Sequence, residues 1–382
     1  MREKKGTFMT LAVLVGLCMT YSCLDPYTPP EVQSNVNYLV VEGFLDIGIA
    51  TTTIKLSRTT VLSADNAVAA ESNASVFIEG EDGNTYALPE STTPGTYVKQ
   101  NLIIDPTITY RLNITTKNQK KYASDFVPFK KVPPIDSITW AVEGNDVRIY
   151  ANAHDDQDRT VYYLWKFNET WAYHSKYHSV IKFEDGQVKP RSSAEDIFHC
   201  WSSRPSPRIL ITSTAQLARD VVREYLLQTI PLTSIKLQSE YSILVQQFAL
   251  TKDALAYWQQ VKKNTENIGS IFGPQPSQLP SNIHCLTNPE EPVIGYFGAS
   301  SVEEQRIYIF HDEVPPTPEI TGYETCEADT LKLEFVRDFG GSSSLIDPAY
   351  IGIALVGYRE STAFCVDCRQ AGGTTVKPDF WK

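Results

Sequence analysis

The chain has 382 residues, with 34 Lys and Arg against 45 Asp and Glu, a net charge of −11, 42% apolar residues and 21% charged ones. That is enough chain for about two to three domains with real cores, and too apolar for disorder. An acidic balance with no block of basic residues excludes nucleic-acid binding and electrostatic attachment to anionic lipid as leading functions.

The first residues carry the strongest signal. Arg2, Lys4 and Lys5 precede an apolar run from Phe8 to Met19, shorter than the ~20 residues a membrane-spanning helix needs. A basic flank, a short apolar run and a small residue at its end predict a secretory signal over residues 1–22. Cys23 follows Ser22 directly, as does the cysteine that a bacterial lipoprotein exposes for acylation. Thr20 stands three residues before the cleavage point, where leucine is usual; Cys18 is the rival, but Leu17 before it suits cleavage poorly. The alternative is an ordinary signal peptide with an incidental cysteine. Acylation of Cys23 would tether the protein to a membrane without a spanning helix. With three basic residues and one acidic one removed, the mature chain would carry −13. Residues 23–35 then form a tether, in which Pro26, Pro29 and Pro30 forbid helix and favour an extended stalk.

Strand signals dominate from there. Tyr38 to Gly43 reads as a buried strand, Thr52 to Ser57 alternates, and Ser75–Glu79 with Thr85–Leu88 reads as a hairpin. Gly95–Val98 and Thr109–Ile114 add two more. Short strands at about ten-residue spacing predict an immunoglobulin-like β-sandwich over residues 36–131, without the Cys…Trp…Cys core of antibody domains. Val132-Pro133-Pro134 marks a boundary. Residues 135–382 are expected to form a larger β-rich domain with one or two short helices. Its strands include Ser137–Trp140, Asp146–Tyr150, Ser239–Phe248, Val293–Phe297 and Gln305–Phe310. Thr251 caps a helix in which Ala254, Leu255, Trp258 and Val261 share a face, ending near Asn264. A Gly/Pro loop follows over residues 269–280. The fold class is therefore mainly β.

Five cysteines remain in the mature body beside Cys23, namely Cys200, Cys285, Cys326, Cys365 and Cys368. In an oxidising compartment some should pair, and Cys326 is expected to bond Cys365 or Cys368, the nearest in sequence. Cys365-Val366-Asp367-Cys368 has redox or zinc spacing, yet no second such pair accompanies it, so structural disulfide is the favoured reading. His174 and His178 at i,i+4 would make a metal pair only on a helix, and the surroundings read as strand. His154-Asp155-Asp156-Gln157-Asp158 groups carboxylates that could hold calcium, although a solvated loop is favoured. Ser179-Val180-Ile181-Lys182 matches S-x-x-K without its companion motifs. No nucleophile elbow, zincin, P-loop or dinucleotide motif occurs. No cofactor and no metal is expected, and the chain is not read as an enzyme.

Aromatic side chains offer the alternative, because Tyr and Trp stack on sugars and dominate interface hot spots. Trp165, Trp171, Tyr173, Tyr177 and Trp201 are the candidates for binding a ligand or partner. The competing reading places Tyr163, Trp165 and Phe167, which alternate, on an inward strand face.

One family matches this order of features. The cysteine followed by Asp25-Pro26-Tyr27, then Leu39-Val40-Val41-Glu42-Gly43 and Leu56-Ser57-Arg58-Thr59, forms one group of matching segments. Ala256-Tyr257-Trp258, Gly295-Tyr296-Phe297-Gly298-Ala299-Ser300 and Cys365-Val366-Asp367-Cys368-Arg369, through Gly372-Gly373 to Lys377-Pro378-Asp379-Phe380-Trp381, form the other. Together they resemble the Bacteroidota-type outer-membrane lipoproteins of domain of unknown function 4249. The resemblance implies a lipid-anchored protein at the cell surface, an accessory or binding subunit beside a TonB-dependent receptor, with a glycan or peptide as ligand. It names no catalytic residue. The rival functions are an envelope-assembly subunit and a surface hydrolase.

Overall fold

Strict alternation along Thr51–Arg58 and Thr109–Thr115 sends every second side chain inward and its neighbours toward water, the pattern of a sheet with one buried face. The computed structural model describes residues 37–46, 51–60, 69–266, 280–316 and 322–381. The expected signal, Cys23, the tether and most of the loop at 269–280 lie outside these. The chain divides into two compact units, residues 1–37 with 60–67 and residues 38–59 with 68–382. Of the first only Asn37 and Thr60 are described, and everything below concerns the second.

The fold is mainly β. Leu39–Leu45 runs antiparallel to Thr51–Arg58, which pairs on its other side with Thr96–Gln100. Opposite them lie Ser75–Gly80, Thr85–Leu88, Thr109–Thr115 and Lys121–Ser124. Leu39, Val41, Ile54, Leu56 and Tyr97 from the first layer meet Ile78, Tyr110, Leu112, Ile114 and Tyr122 from the second in one core. The strand Val127–Lys130 bonds to both layers, antiparallel to Thr109–Thr115 and parallel to Gly298–Ser300. The expected hairpin is present, with Val76 opposite Leu88.

This sandwich also takes in residues from far along the chain. Val293–Gly295 and Gly298–Ser300 lie parallel to Leu39–Leu45, and Ile283–Cys285 pairs with Lys121–Ser124. The close approach requires glycine. Gly295 sits opposite Val41 with φ +141, and a Cβ there would lie 2.2 Å from the Val41 carbonyl oxygen.

A second core forms between two further sheets. Ile135–Glu143, Asp146–His154 and Val221–Pro231 make one. The other has five strands, including Tyr162–His174, His199–Pro205, Leu210–Ser213, Glu240–Ala249 and Val302–Phe310. Tyr162–His174 is the longest of the described strands, at 13 residues; its inward face is buried throughout, and its reverse face is buried at Leu164 and Thr170 and open at Asn168. Tyr163, Trp165, Phe167, Trp171 and Tyr173 point into the core shared with Val147, Ile149 and Val245. On the reverse face Leu164 packs with Phe44, Phe248 and the helix Lys252–Glu266. The helix begins as expected, Thr251 Oγ1 accepting from the Ala254 N–H at 3.1 Å. It ends at Glu266, two residues past the expected Asn264, within ordinary fraying.

Lys166, on that reverse face, has its ammonium 5.2 Å from the Phe44 ring centre, 5.3 Å from Phe248 and 5.8 Å from Trp258. Burial holds its pKa below the usual lysine value, against the pull of Glu42. Cation–π attraction to three ring faces offsets part of the desolvation.

The last 60 residues wrap onto the five-stranded sheet. Asp329–Lys332, Ala354–Thr362 and Ser343–Ile351 form a small sheet, followed by a strap that two disulfides fasten. Cys326 bonds Cys365, while Cys368 bonds Cys200, which had been left among the unassigned thiols. Cys285 is buried and unbonded. The Tyr173 hydroxyl donates to the Cys368 carbonyl at 2.9 Å, and Ser175 Oγ donates to the Val366 carbonyl at 2.9 Å.

The Cys200–Cys368 bond spans 168 residues, so its removal relaxes a large closed loop in the unfolded chain. Replacing both by serine is expected to lower unfolding free energy by about 2–5 kcal/mol. Denaturant titration checks this; an unchanged midpoint would mean that the bond contributes nothing.

Candidate functional site

The aromatic candidates do not form an exposed platform. Trp165 is fully buried, Trp171 and Tyr173 nearly so, and all three lie on the inward face of the strand Tyr162–His174. The core reading of Tyr163, Trp165 and Phe167 holds, and it extends to Trp171 and Tyr173. The cause is the second sheet packed on that face, which leaves no ring face for a ligand. Tyr177 is half-buried and donates its hydroxyl to the Cys326 carbonyl at 3.1 Å. Trp201, also half-buried, is bridged through its backbone to Thr374 of the strap. These residues seat the C-terminal segment.

Other sequence candidates resolve similarly. His174 and His178 both pack on the Phe198 ring, with ring centres 4.7 and 4.9 Å away, on strand and loop rather than on a helix. Ser179 Oγ donates to the carbonyls of Ile181 and Leu345, and Lys182 pairs with Glu184 and Glu195, so this serine has no base. Glu169, buried in the second core, is held by Lys236, by the Tyr241 hydroxyl at 3.0 Å and by Gln228 Nε2 at 3.2 Å. A buried carboxylate so fully bonded fixes packing and leaves nothing for a substrate.

Among the described residues, the two widest of three clefts of small-molecule size bear on function. The wider, about 980 Å³, is lined by Tyr38, Ile283, Cys285, Glu291 and Val293. Of its two carboxylates, Glu290 is exposed and Glu291 is occupied by Lys120 at 2.5 Å and the Tyr122 hydroxyl at 2.7 Å.

The second cleft, about 540 Å³, lies where the chain leaves the sandwich. Val127–Lys130 ends there, Lys131 to Pro134 runs on as a connector, and the loop 155–160 between Asp146–His154 and Tyr162–His174 closes the far side. Phe129, Val132, Pro133, Pro134 and Pro106 give it apolar walls. The acidic group singled out in the sequence forms this loop; Asp155 and Asp158 are bonded internally, while Asp156 stays exposed, 3.5 Å from His154 Nε2. Asp155 accepts from the backbone N–H groups of Gln157, Arg159 and Thr160 at 2.9–3.1 Å. Burial alone would raise the Asp155 carboxyl; these three bonds hold it below its ordinary value. Asp158 accepts from the Asp220 N–H at 2.8 Å, and Asp136 grips His154 Nδ1 at 2.7 Å. Turned to different partners, Asp155, Asp156 and Asp158 do not converge as a calcium site would require. Thr160 Oγ1 donates to the Lys131 carbonyl at 3.3 Å, tying loop to connector.

The lining keeps three cations beside the exposed carboxylate of Asp156. Lys130, Lys131 and Arg159 line the cleft, and among the described residues no carboxylate pairs with their side chains. Apolar walls with unneutralised cations suit a small ligand that carries a carboxylate or similar anion. These residues were missed in the sequence because Val132-Pro133-Pro134 read only as a boundary; such junctions are common places for clefts.

Fold and disulfides together define a mainly β protein whose C-terminal segment two disulfides fasten. The chain belongs to the family described as domain of unknown function (DUF4249), whose model matches residues 25–306. No curated protein matches it. Among solved structures, a two-fibronectin-type-III-domain segment from chicken tenascin aligns over 56% of this chain and 91% of its own, at 7% identity and a TM-score of 0.17. That likeness is too slight to define the fold.

The Asp136 hydrogen bond raises the pKa of His154 above its ordinary value. A raised pKa means that the folded state favours the imidazolium, so this pair's contribution is present below about pH 6.5 and is lost as pH climbs through the raised value. Titration of the His154 ring by NMR should give a midpoint above 6.5, and Asp136→Asn should bring it down. An Asp136→Asn midpoint equal to the wild type would remove the pair from the account.

Proposed function

We propose that this chain is a Bacteroidota-type outer-membrane lipoprotein, anchored through Cys23 and exposed at the cell surface. It acts as a non-catalytic binding or accessory subunit beside a TonB-dependent transporter, and the cleft between connector and loop is its recognition site. The ligand class is a small solute or peptide end with a free carboxylate, acidic sugars included. The observation that carries this reading is the set Lys130, Lys131 and Arg159, cations without carboxylate partners in a chain of net charge −11. The anchoring half rests on the sequence alone, on the basic start, the apolar run to Met19 and Ser22-Cys23 after it. A lipid and a Pro-rich stalk would confine the protein to two dimensions and raise its effective concentration at a neighbouring transporter. Recognition is non-covalent, without turnover.

Labelling cells with a radioactive fatty acid tests the anchor. Wild type is expected to take up label and Cys23→Ala to take up none; equal labelling would rule out Cys23. Calorimetry with galacturonate oligomers and carboxylate-terminated peptides, against their neutral counterparts, tests the cleft. Acidic probes should bind, and Arg159→Ala should weaken binding by about tenfold, the usual cost of one charge-assisted hydrogen bond. Equal binding of neutral probes would overturn the ligand class. Transporter co-purification from detergent-solubilised outer membranes tests the partner; repeated recovery of the chain alone would count against it.

A further inference from the structure

The hairpin formed by Ser343–Ile351 and Ala354–Thr362 ends in a tip unlike the rest of the surface. From Pro348 to Tyr358 the sequence is Pro-Ala-Tyr-Ile-Gly-Ile-Ala-Leu-Val-Gly-Tyr, eleven residues without a charge and with no polar side-chain group beyond two phenols. Ile351 pairs with Ala354, and Gly352, at φ +62, turns the chain. Tyr350 is 61% exposed, Ile351 74% and Ile353 101%. Scattered apolar residues are ordinary on a surface; three large ones at the end of one projection are not.

The geometry limits what the tip can do. The third strand, Asp329–Lys332, reaches only to Gly357, so beyond that point the hairpin is a bare two-stranded ribbon. From the Pro348–Tyr358 pair to the Ile351–Ala354 pair is about 10 Å at the usual rise per residue. Charge resumes at the base, where Arg359 Nε and Nη2 meet the two Asp347 oxygens at 2.7 and 2.5 Å. The two tyrosines stand between the charged base and the aliphatic end, an order that matches the polarity gradient of a bilayer surface.

We infer that this tip inserts into the outer part of a bilayer. Charge and side-chain order together select the occupant: a chain of net charge −11 is repelled by anionic surfaces, and an aliphatic end with tyrosines behind it follows the gradient from the core of a neutral bilayer to its interface. A reach of about 10 Å fits interfacial burial. The unpaired outer edges of the ribbon forbid deeper entry, because lipid offers no hydrogen bonds to backbone. The role of the tip is to orient the molecule on the membrane, and it stands whether or not Cys23 carries lipid.

The test uses the unlipidated chain from Leu24 to Lys382, which keeps every described residue, in flotation with phosphatidylcholine vesicles. The protein should float with the vesicles, equally at low and high salt, and no more strongly when phosphatidylglycerol is added. Ile351→Asp with Ile353→Asp should reduce flotation by more than about tenfold, since burial of two isoleucines is lost. In a separate variant, Ile353→Trp, the new fluorescence should be quenched by brominated acyl chains. No flotation by wild type, flotation indifferent to the aspartates, or binding abolished by salt would each overturn the inference. So would tip-dependent self-association or tip-dependent capture of an integral membrane protein without vesicle binding, either of which would make the tip a protein contact. No transporter or cleft ligand is in this assay, so its failure leaves the proposed function standing, and the reverse holds.

Discussion

The second half of the molecule is organised by a single strand whose inward face is buried along its whole length. Tyr162–His174 gives Tyr163, Trp165, Phe167, Trp171 and Tyr173 to the core against the three-stranded sheet, and Leu164 to the cluster with the helix. A face buried from end to end fixes the distance to the sheet packed on it, since protein interiors leave little slack. The strand also carries one charged group among apolar neighbours on each face. Glu169 finds Lys236, Tyr241 and Gln228, while Lys166 finds aromatic faces in place of a counter-ion. Both arrangements make the register of this strand specific, because a slip by one residue would send the carboxylate toward the aromatic rings and the ammonium toward the core.

The same strand explains what could and could not be read from the residues. Thr51–Arg58, Thr109–Thr115, the hairpin at Val76 and Leu88, and the Thr251 cap follow from local periodicity, and the structure contains each of them. The run from Tyr162 to Phe183 suits aromatic contacts on sequence grounds because Trp and Tyr serve a binding face as well as a core face, and whether a second sheet covers that face leaves no local trace. Cys200 as a disulfide partner and residues 283–300 as part of the sandwich are contacts at long sequence separation, which leave no local trace. The cleft was half legible. His154 to Asp158 stood out, but whether those carboxylates face a ligand or the backbone depends on loop conformation. Apolar hairpin ends are worse still, since Tyr350 to Val356 reads like any buried strand until exposure is known.

The cleft and the hairpin illustrate one rule at opposite polarity. In the cleft, internal hydrogen bonds hold Asp155 and Asp136, and among the described residues Lys130, Lys131 and Arg159 have no carboxylate partner, so cations outnumber the one exposed carboxylate, Asp156. At the hairpin, a fully paired base of Asp347 and Arg359 leaves a tip with no charge at all. In both places the groups that remain without internal partners, rather than the composition, set what can be recognised.

The late arrival of Val293–Ser300 beside Leu39–Leu45 has a bearing on biogenesis. A polypeptide threaded from its amino end through a translocation pore would present Leu39–Leu45 with one flank open for most of the time needed to deliver the rest. An open flank of that kind recruits other strands, correct or not. Closure of the sandwich therefore waits until about three quarters of the chain is available and is dominated by slow long-range search; if the chain is exported as proposed, a holding chaperone would have to shield that flank until then.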